Sequence, residues 1–251
     1  MGDAGRPGGQ RALPGLSRAA ALAVVAADAG LAAAGARRAR RVSKPAVLPM
    51  VALAARRPGG QLAGRPVGLG VALVGSWVGD VALLSRSPRG LLGGIGGFAA
   101  AHLGYLAEIR RFARAPVPST TATAAPAGRW AGVMSAAYGG VWAGAAGVLW
   151  RRLDGPAERR LRGPVVGYAA LVTGLGAAAA RAGLRRGGPA GHALAAGGAT
   201  FVLSDGLVAL SHFGGRRRPG VDAAVMLTYA AAQALLTRAL TGPAEQPARP
   251  G

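Results

Sequence analysis

The sequence predicts an all-α membrane protein, a polytopic bundle of about eight transmembrane helices. Of its 251 residues, 51% are apolar, and these residues occur in long stretches. The stretches are about 18 to 22 residues long, the length of helix that crosses a hydrocarbon core of roughly 30 Å. The 30 Lys and Arg residues lie almost wholly between the stretches. This separation of charged from apolar segments is typical of membrane spans and not of a soluble basic protein.

Hydropathy, flanking charges and the positions of Pro and Gly place the spans in order along the chain. The predicted spans cover residues 17–35, 44–55, 66–85, 90–109, 129–150, 163–180, 190–211 and 221–240. The second span is the shortest and begins at Lys44, whose long side chain can extend to the membrane interface. Residues 17–240 therefore form the transmembrane domain, between a basic N-terminal tail at residues 1–16 and a disordered C-terminal tail at residues 241–251.

The longest predicted connection, residues 110–128, divides the chain nearly in half. Its run of Pro, Ser, Thr and Ala predicts an exposed flexible loop. Four spans lie on each side of it, and the third span of each half carries an aspartate after a small residue, Asp80 in one half and Asp205 in the other. This pattern suggests a four-plus-four internal repeat that brings the two aspartates together near a pseudo-twofold axis. Lys and Arg divide equally between the two membrane sides, so they leave the orientation open.

The formal net charge of +21 does not predict nucleic-acid binding, because a nucleic-acid interface collects its arginines on one folded face with polar neighbours. The arginines here flank the spans, where they meet the phosphates and anionic headgroups of lipids. Membrane lipids are therefore the predicted partners, and the sequence leaves the oligomeric state open. Abundant Arg, Ala and Gly are typical of a high-GC bacterial genome, which predicts a location in a bacterial plasma membrane.

The residue types that bind metals or form known hydrolase motifs are sparse. The chain has no cysteine, and its three histidines and nine acids are not grouped at the spacing of zinc or di-iron sites. The Gly-x-Ser-x-Gly sequence of serine hydrolases does not occur. We therefore expect neither a metal nor a cofactor.

Three pairs of glycines predict close packing of helices, because glycines four residues apart let two backbones approach each other in lipid. The pairs are Gly75 and Gly79, Gly93 and Gly97, and Gly140 and Gly144. Since Gly is abundant in the chain, with 43 residues, packing is favoured over any other role for these glycines.

Three aspartates lie inside predicted spans: Asp28, Asp80 and Asp205. A carboxylate at the centre of a span costs at least ~2.5 kcal/mol, so each is a candidate for function. Further polar side chains lie at depth, namely His102 and Tyr105 on one face of the fourth helix, Ser76, Ser204, Tyr229 and Gln233. Two interpretations are open. Either these groups converge on a polar pocket, or each aspartate pairs with a Lys, His or Arg and stabilises the bundle.

Short motifs on four of the spans carry a family resemblance. They are Ser43-Lys44-Pro45 at the second span, Gly79-Asp80 in the third, Phe98 with Ala101-His102 and Tyr105 in the fourth, and Phe201 with Ser204-Asp205 in the seventh. In this order and placement the sequence resembles the YhhN family of membrane proteins, whose characterised members are lysoplasmalogenases. The resemblance covers most of the chain, from the first span to about residue 236.

The resemblance implies an eight-helix fold and hydrolysis of the vinyl ether bond of lysoplasmalogens to a fatty aldehyde and a glycerophospho-alcohol. Asp80 and Asp205 are then the expected catalytic carboxyl groups, one acting as acid and the other as base, with the order unassigned. The expected substrate-binding or tuning residues are Lys44, His102, Tyr105, Ser204 and Asp28.

Two alternatives to a hydrolase are open. A proton-coupled transporter or lipid-translocating protein also uses paired intramembrane aspartates. A structural membrane protein uses Asp–Lys pairs only for assembly.

Overall fold

The computed structural model describes residues 13–55, 67–85, 87–115, 127–156, 158–213 and 219–241, and the regular secondary structure of this part of the chain is all helical. Eight α-helices occur within it: α1 (Leu13–Ala33), α2 (Arg37–Ala55), α3 (Val67–Ala82), α4 (Pro88–Arg114), α5 (Ala127–Arg152), α6 (Arg162–Arg186), α7 (Gly188–Phe213) and α8 (Pro219–Leu240). A short 3-10 helix, Glu158–Leu161, precedes α6. The predicted all-α architecture with eight helices is confirmed.

Five of the helices are long and apolar enough to cross a membrane: α4, α5, α6, α7 and α8. The apolar helix α3 is shorter, with 16 residues. Large apolar side chains cover the outside of the bundle, including Leu22, Val74, Leu103 and Leu203, each more than half exposed. Such a surface matches hydrocarbon rather than water. By its helix composition the chain is a multi-pass membrane protein.

Helix α2 begins at Arg37, seven residues before the predicted second span. Hydropathy assigned its arginine-rich start to a loop, but Arg40 turns inward and pairs with Asp28 of α1, so the helix continues through the charged segment. Pro45, predicted to open the span, lies in the middle of the helix together with Pro49. These prolines do not terminate α2, because the structure satisfies a backbone group that they leave unpaired.

The backbone group in question is the carbonyl of Pro45. Pro49 has no N–H and cannot donate the usual helical hydrogen bond to the carbonyl four residues earlier. The indole Nε1 of Trp77, on α3, donates to this carbonyl oxygen instead, at 3.0 Å. The contact ties α2 to α3 close to Lys44 and Asp80.

The predicted loop at residues 110–128 is shorter than expected, because α4 extends to Arg114 and α5 begins at Ala127. Arginines in the last turn of α4 suit a helix C-terminus, where the helix dipole favours positive charge. Residues 116–126 lie outside the described part of the chain. So do residues 1–12 and 242–251, which hold most of the two predicted tails.

Glycines bring α3 and α4 into backbone contact. A Cβ added to Gly75 would lie 2.7 Å from the Gly97 carbonyl oxygen, and one added to Gly97 would lie 2.6 Å from the Gly79 backbone nitrogen. The predicted packing role of the first two glycine pairs is therefore confirmed. A Cβ on Gly140 or Gly144 meets no atom of the described chain within 4 Å, so the third pair does not pack helices within the bundle.

This contrast predicts two different responses to the same substitution. Gly75→Leu is expected to lower the free energy of unfolding by about 1–3 kcal/mol, because the new side chain meets backbone atoms that cannot move aside cheaply. Gly140→Leu is the control and is expected to change it by no more than about 0.5 kcal/mol. Thermal unfolding in detergent measures both, and equal losses at the two positions would contradict the packing account.

Helix α3 packs on α4, α5 on α6, α6 on α7, α7 on α8, and α1 lies against α2 and α8. The centre of the bundle is aromatic, with the Phe201 ring in edge contact with His102, Tyr105 and Tyr229. Asp80 of the third helix and Asp205 of the seventh reach the same cavity beside this core. The four-plus-four repeat that led us to expect this approach stays a prediction.

Candidate active site

A cavity of about 160 Å³ lies between helices α2 to α8. Its walls are mostly apolar and include Leu91, Val141, Leu149, Val165 and Phe213. Its polar side chains are Lys44, Asp80, Tyr168, Thr173, Ser204, Asp205, His212 and Tyr229. The predicted pair Asp80 and Asp205 thus borders one largely apolar space, together with the predicted residues Lys44 and Ser204.

The polar groups come from the same end of the bundle. Lys44 and Tyr168 lie seven and six residues after the starts of α2 and α6, whereas Asp80 and Asp205 lie two and eight residues before the ends of α3 and α7. Because successive helices run in opposite directions, these positions share one membrane half. Eight residues of helix correspond to about 12 Å, so the group lies within reach of that membrane interface.

Asp80 has a cation as its partner. The Lys44 Nζ lies 3.2 Å from Asp80 Oδ1, and both side chains are largely withdrawn from solvent. The second oxygen, Oδ2, is buried and makes no hydrogen bond of good geometry with the described residues. The Tyr229 hydroxyl, from α8, borders the same cavity and also makes no hydrogen bond of good geometry with the described residues. Asp80 therefore has an ammonium group at ion-pair distance and one oxygen that is not committed to a hydrogen bond.

Asp205 has a different environment. The Tyr168 hydroxyl donates a hydrogen bond to Asp205 Oδ2 at 2.5 Å, and His102 Nε2 lies 3.9 Å from the same oxygen. Within the part of the chain that the structure describes, neither a Lys nor an Arg lies within ion-pair distance of Asp205. The two carboxyl groups of the cavity are thus distinguished by their partners: Asp80 faces an ammonium group, and Asp205 faces a phenol and an imidazole.

The tautomer of His102 follows from its hydrogen bond. Its Nδ1 lies 2.5 Å from the Phe98 carbonyl oxygen, which only accepts, so Nδ1 carries a proton. In the neutral ring Nε2 is then an acceptor, and this buried atom makes no hydrogen bond with the described residues. The His102 ring is fully buried and does not line the cavity, whereas Asp205 does. Buried polar atoms without partners are rare in folded proteins, and functional sites are one place that retains them.

Asp28 lies away from the cavity, in a separate cluster. Its fully buried carboxylate accepts hydrogen bonds from Arg40 at 3.0 and 3.3 Å and from the Ser43 hydroxyl at 2.5 Å. This residue fits the second of the two interpretations open from sequence, an aspartate paired with a cation inside the bundle. Because Ser43 precedes Lys44, the cluster also fixes the rotation of α2 that presents Lys44 to Asp80.

Tyr105 does not line the cavity either. Its hydroxyl donates to Gln233 Oε1, and the Gln233 amide nitrogen donates to the Ser76 hydroxyl at 2.9 Å. These side chains connect α4, α8 and α3 in a buried polar network. The Ser204 hydroxyl lies at the cavity and donates to the Val225 carbonyl of α8 at 3.4 Å.

Two residues that shape these groups were not identified from the sequence, Tyr168 and Arg40. Tyr168 is one of only four tyrosines and lies in a span otherwise rich in Ala and Gly, a signal that could have identified it. Arg40 gave no such signal, because it is one of several arginines at the start of α2.

The cavity size limits what it can enclose. An engineered protein cavity of about 150 Å³ holds one benzene molecule, so about 160 Å³ takes a reacting group and a few carbons of a lipid chain. A longer chain has to extend outside. Val141 of α5 lines the cavity and is also 52% exposed on the bundle surface, so the cavity opens to the outside beside α5.

Comparison with known proteins gives one match. The sequence model of the YhhN family matches residues 39–240, which is most of the chain. The matched region starts within the first turn of α2 and ends with α8, so it contains both cavity aspartates. No curated protein and no solved structure matches the sequence.

Proposed function

The chain belongs to the YhhN family, and on this premise we propose that it hydrolyses the vinyl ether bond of lysoplasmalogens, as the characterised lysoplasmalogenases of that family do. The products are a fatty aldehyde and a glycerophospho-alcohol. One observation supports the proposal above all: Asp80 and Asp205 border the same apolar cavity inside a membrane bundle, with different partners. Two carboxyl groups in different surroundings can act as the acid and the base of a hydrolysis reaction, because their environments favour different protonation states.

The reaction sets the requirements for these groups. An acid gives a proton to the outer alkene carbon, and the electron pair of the double bond forms the new C–H bond. The inner carbon and the ether oxygen then share the positive charge of an oxocarbenium ion. Water adds to the inner carbon and loses a proton to a base, which gives a hemiacetal. The hemiacetal hydroxyl then returns a proton to the acid as its oxygen forms the aldehyde C=O bond. The C–O bond to glycerol breaks, and the leaving alcohol oxygen takes the proton that the base had accepted, so both carboxyl groups return to their starting states. Water is thus consumed without any net release of protons.

Asp205 is the proposed acid. A largely buried carboxyl group that faces no cation favours its neutral form, because an unpaired charge is costly to bury. The group then holds a proton that it can deliver to a substrate in the cavity. His102, behind Asp205, is proposed to tune this group through the 3.9 Å approach of its Nε2.

Asp80 is the proposed base. The Lys44 ammonium at 3.2 Å favours the ionised carboxylate. A carboxylate at this place stabilises the oxocarbenium ion and accepts the proton of the attacking water. Ser204, which lines the same wall, is proposed as a substrate contact. The mechanism needs neither a metal nor a cofactor.

The apolar walls suit the first carbons of an alkenyl chain, and the opening beside Val141 lets the remaining chain extend into lipid. The substrate would then be reached from the membrane, and its phosphate would lie among the arginines of the nearby interface. On the composition rich in Arg, Ala and Gly, we propose a bacterial plasma membrane as its location.

The test is aldehyde release from synthetic lysoplasmalogens by the detergent-purified protein. Fatty aldehyde is expected in proportion to protein, without an ion gradient, from choline or ethanolamine lipids. The matched control substrate is the saturated 1-O-alkyl lysophospholipid, which has no alkene carbon to protonate and is expected to stay intact. Well-folded protein that releases no aldehyde from either headgroup class would overturn the proposal. Gradient-dependent flux into vesicles would then support the transporter or lipid-translocating alternative.

A further inference from the structure

We propose that Tyr168 is a positioning residue that fixes the transferable proton of Asp205 on Oδ1, the oxygen left free for substrate. The inference rests on the proposed function, in which Asp205 is the acid. It concerns a residue of α6 that the family resemblance did not single out.

The two oxygens of Asp205 are in different situations. Oδ2 accepts the hydrogen bond of the Tyr168 hydroxyl at 2.5 Å. Within the described chain, the hydrogen bond that Asp205 accepts goes to Oδ2, and Oδ1 accepts none. In a neutral carboxyl group the carbonyl oxygen accepts hydrogen bonds better than the hydroxyl oxygen does, so the oxygen that accepts the short Tyr168 hydrogen bond is assigned as the carbonyl oxygen. The proton of neutral Asp205 is therefore placed on Oδ1.

The position of the proton on Asp205 is important because His102 offers a competing acceptor. Its Nε2 is an acceptor in the neutral ring and lies 3.9 Å from Oδ2, the oxygen that Tyr168 occupies. A proton on Oδ2 would be attracted to this nitrogen and turned away from the cavity. By donating to Oδ2, the Tyr168 hydroxyl disfavours that arrangement and keeps the acid proton available to the alkene carbon.

The Tyr168 ring has a separate packing role. It lies edge-on against the His102 ring, with centroids 5.4 Å apart and planes at 87°. Tyr168→Phe keeps this ring contact and removes only the hydroxyl. The substitution therefore separates the proposed role of the hydroxyl from ring packing.

The experiment measures aldehyde release by Tyr168→Phe, normalised to the folded fraction from size-exclusion chromatography. The kcat is expected to fall roughly 10- to 100-fold, the loss that corresponds to one hydrogen bond to a charged or acidic group. The KM is expected to stay within about twofold, because the hydroxyl acts through Asp205 and not on the lipid. The solvent deuterium isotope effect on kcat is expected to increase, since proton transfer becomes slower relative to the other steps.

Tyr138→Phe is the matched control. Tyr138 is a half-buried tyrosine of α5 whose side chain packs beside Gly176 and does not line the cavity, so its kinetics should equal those of the wild type. An unchanged kcat in Tyr168→Phe would overturn the inference, and so would a raised KM with an unchanged kcat. Wild-type protein without aldehyde release is a different result, because it rejects the proposed function itself.

Discussion

Replacement of Asp205 by asparagine is expected to lower the kcat of aldehyde release about 10²- to 10⁴-fold, the usual contribution of a general acid or base. The amide has nearly the same shape and can still accept the Tyr168 hydrogen bond that the carboxyl group accepts. It has no acidic proton to give to the alkene carbon. Fold and lipid binding should therefore persist while chemistry is lost.

Asp80→Asn is expected to reduce kcat by a similar factor for the opposite reason. The amide cannot accept the proton of the attacking water, and it leaves the Lys44 ammonium group without its counter-ion 3.2 Å away. Some loss of stability should accompany this variant and not Asp205→Asn, because Asp205 has no Lys or Arg partner within the described chain. Thermal unfolding of the two variants in detergent measures this difference.

Asp222→Asn is the matched control for both substitutions. Asp222 lies in the first turn of α8, accepts a hydrogen bond from Ser211 at 2.6 Å, and does not line the cavity. The same chemical change there should leave kcat as in the wild type. Full hydrolysis by folded Asp80→Asn or Asp205→Asn would reject the mechanism with paired carboxyl groups.

The number and type of the helices were predictable from hydropathy, since a span has to exclude water along its whole length. The start of α2 and the end of α4 were not. Both segments carry arginines, and a hydropathy profile assigns arginine-rich segments to loops. In the structure the Arg40 side chain is neutralised inside the bundle by Asp28. A one-dimensional pattern contains no information about such a partner.

The same limit applies to the site. In the sequence Asp28, Asp80 and Asp205 look alike, as isolated acids in apolar spans. The structure separates them by their partners: an arginine for Asp28, a lysine for Asp80 and a tyrosine for Asp205. Tyr168 is 37 positions from Asp205, and only the packing of α6 against α7 brings the two together. The catalytic and tuning roles of these residues stay predictions.

Arg40→Met is expected to produce the largest loss of stability, about 3–5 kcal/mol, because it leaves the fully buried Asp28 carboxylate without its cation. Arg38→Met is the matched control. Arg38 lies in the same turn of α2 and is exposed, so its removal should change the free energy of unfolding by no more than about 0.5 kcal/mol. Thermal unfolding in detergent measures both.

The double variant Asp28→Asn/Arg40→Met tests whether the pair is structural. Removal of both charges is expected to recover most of the stability, since a neutral pair has no buried charge to compensate. The Ser43 hydroxyl can still donate to the carbonyl oxygen of the new side-chain amide, which preserves the rotation of α2 and the approach of Lys44 to Asp80. Aldehyde release should therefore stay near the wild-type rate. A stable but inactive double variant would show instead that the Asp28 charge acts on the site.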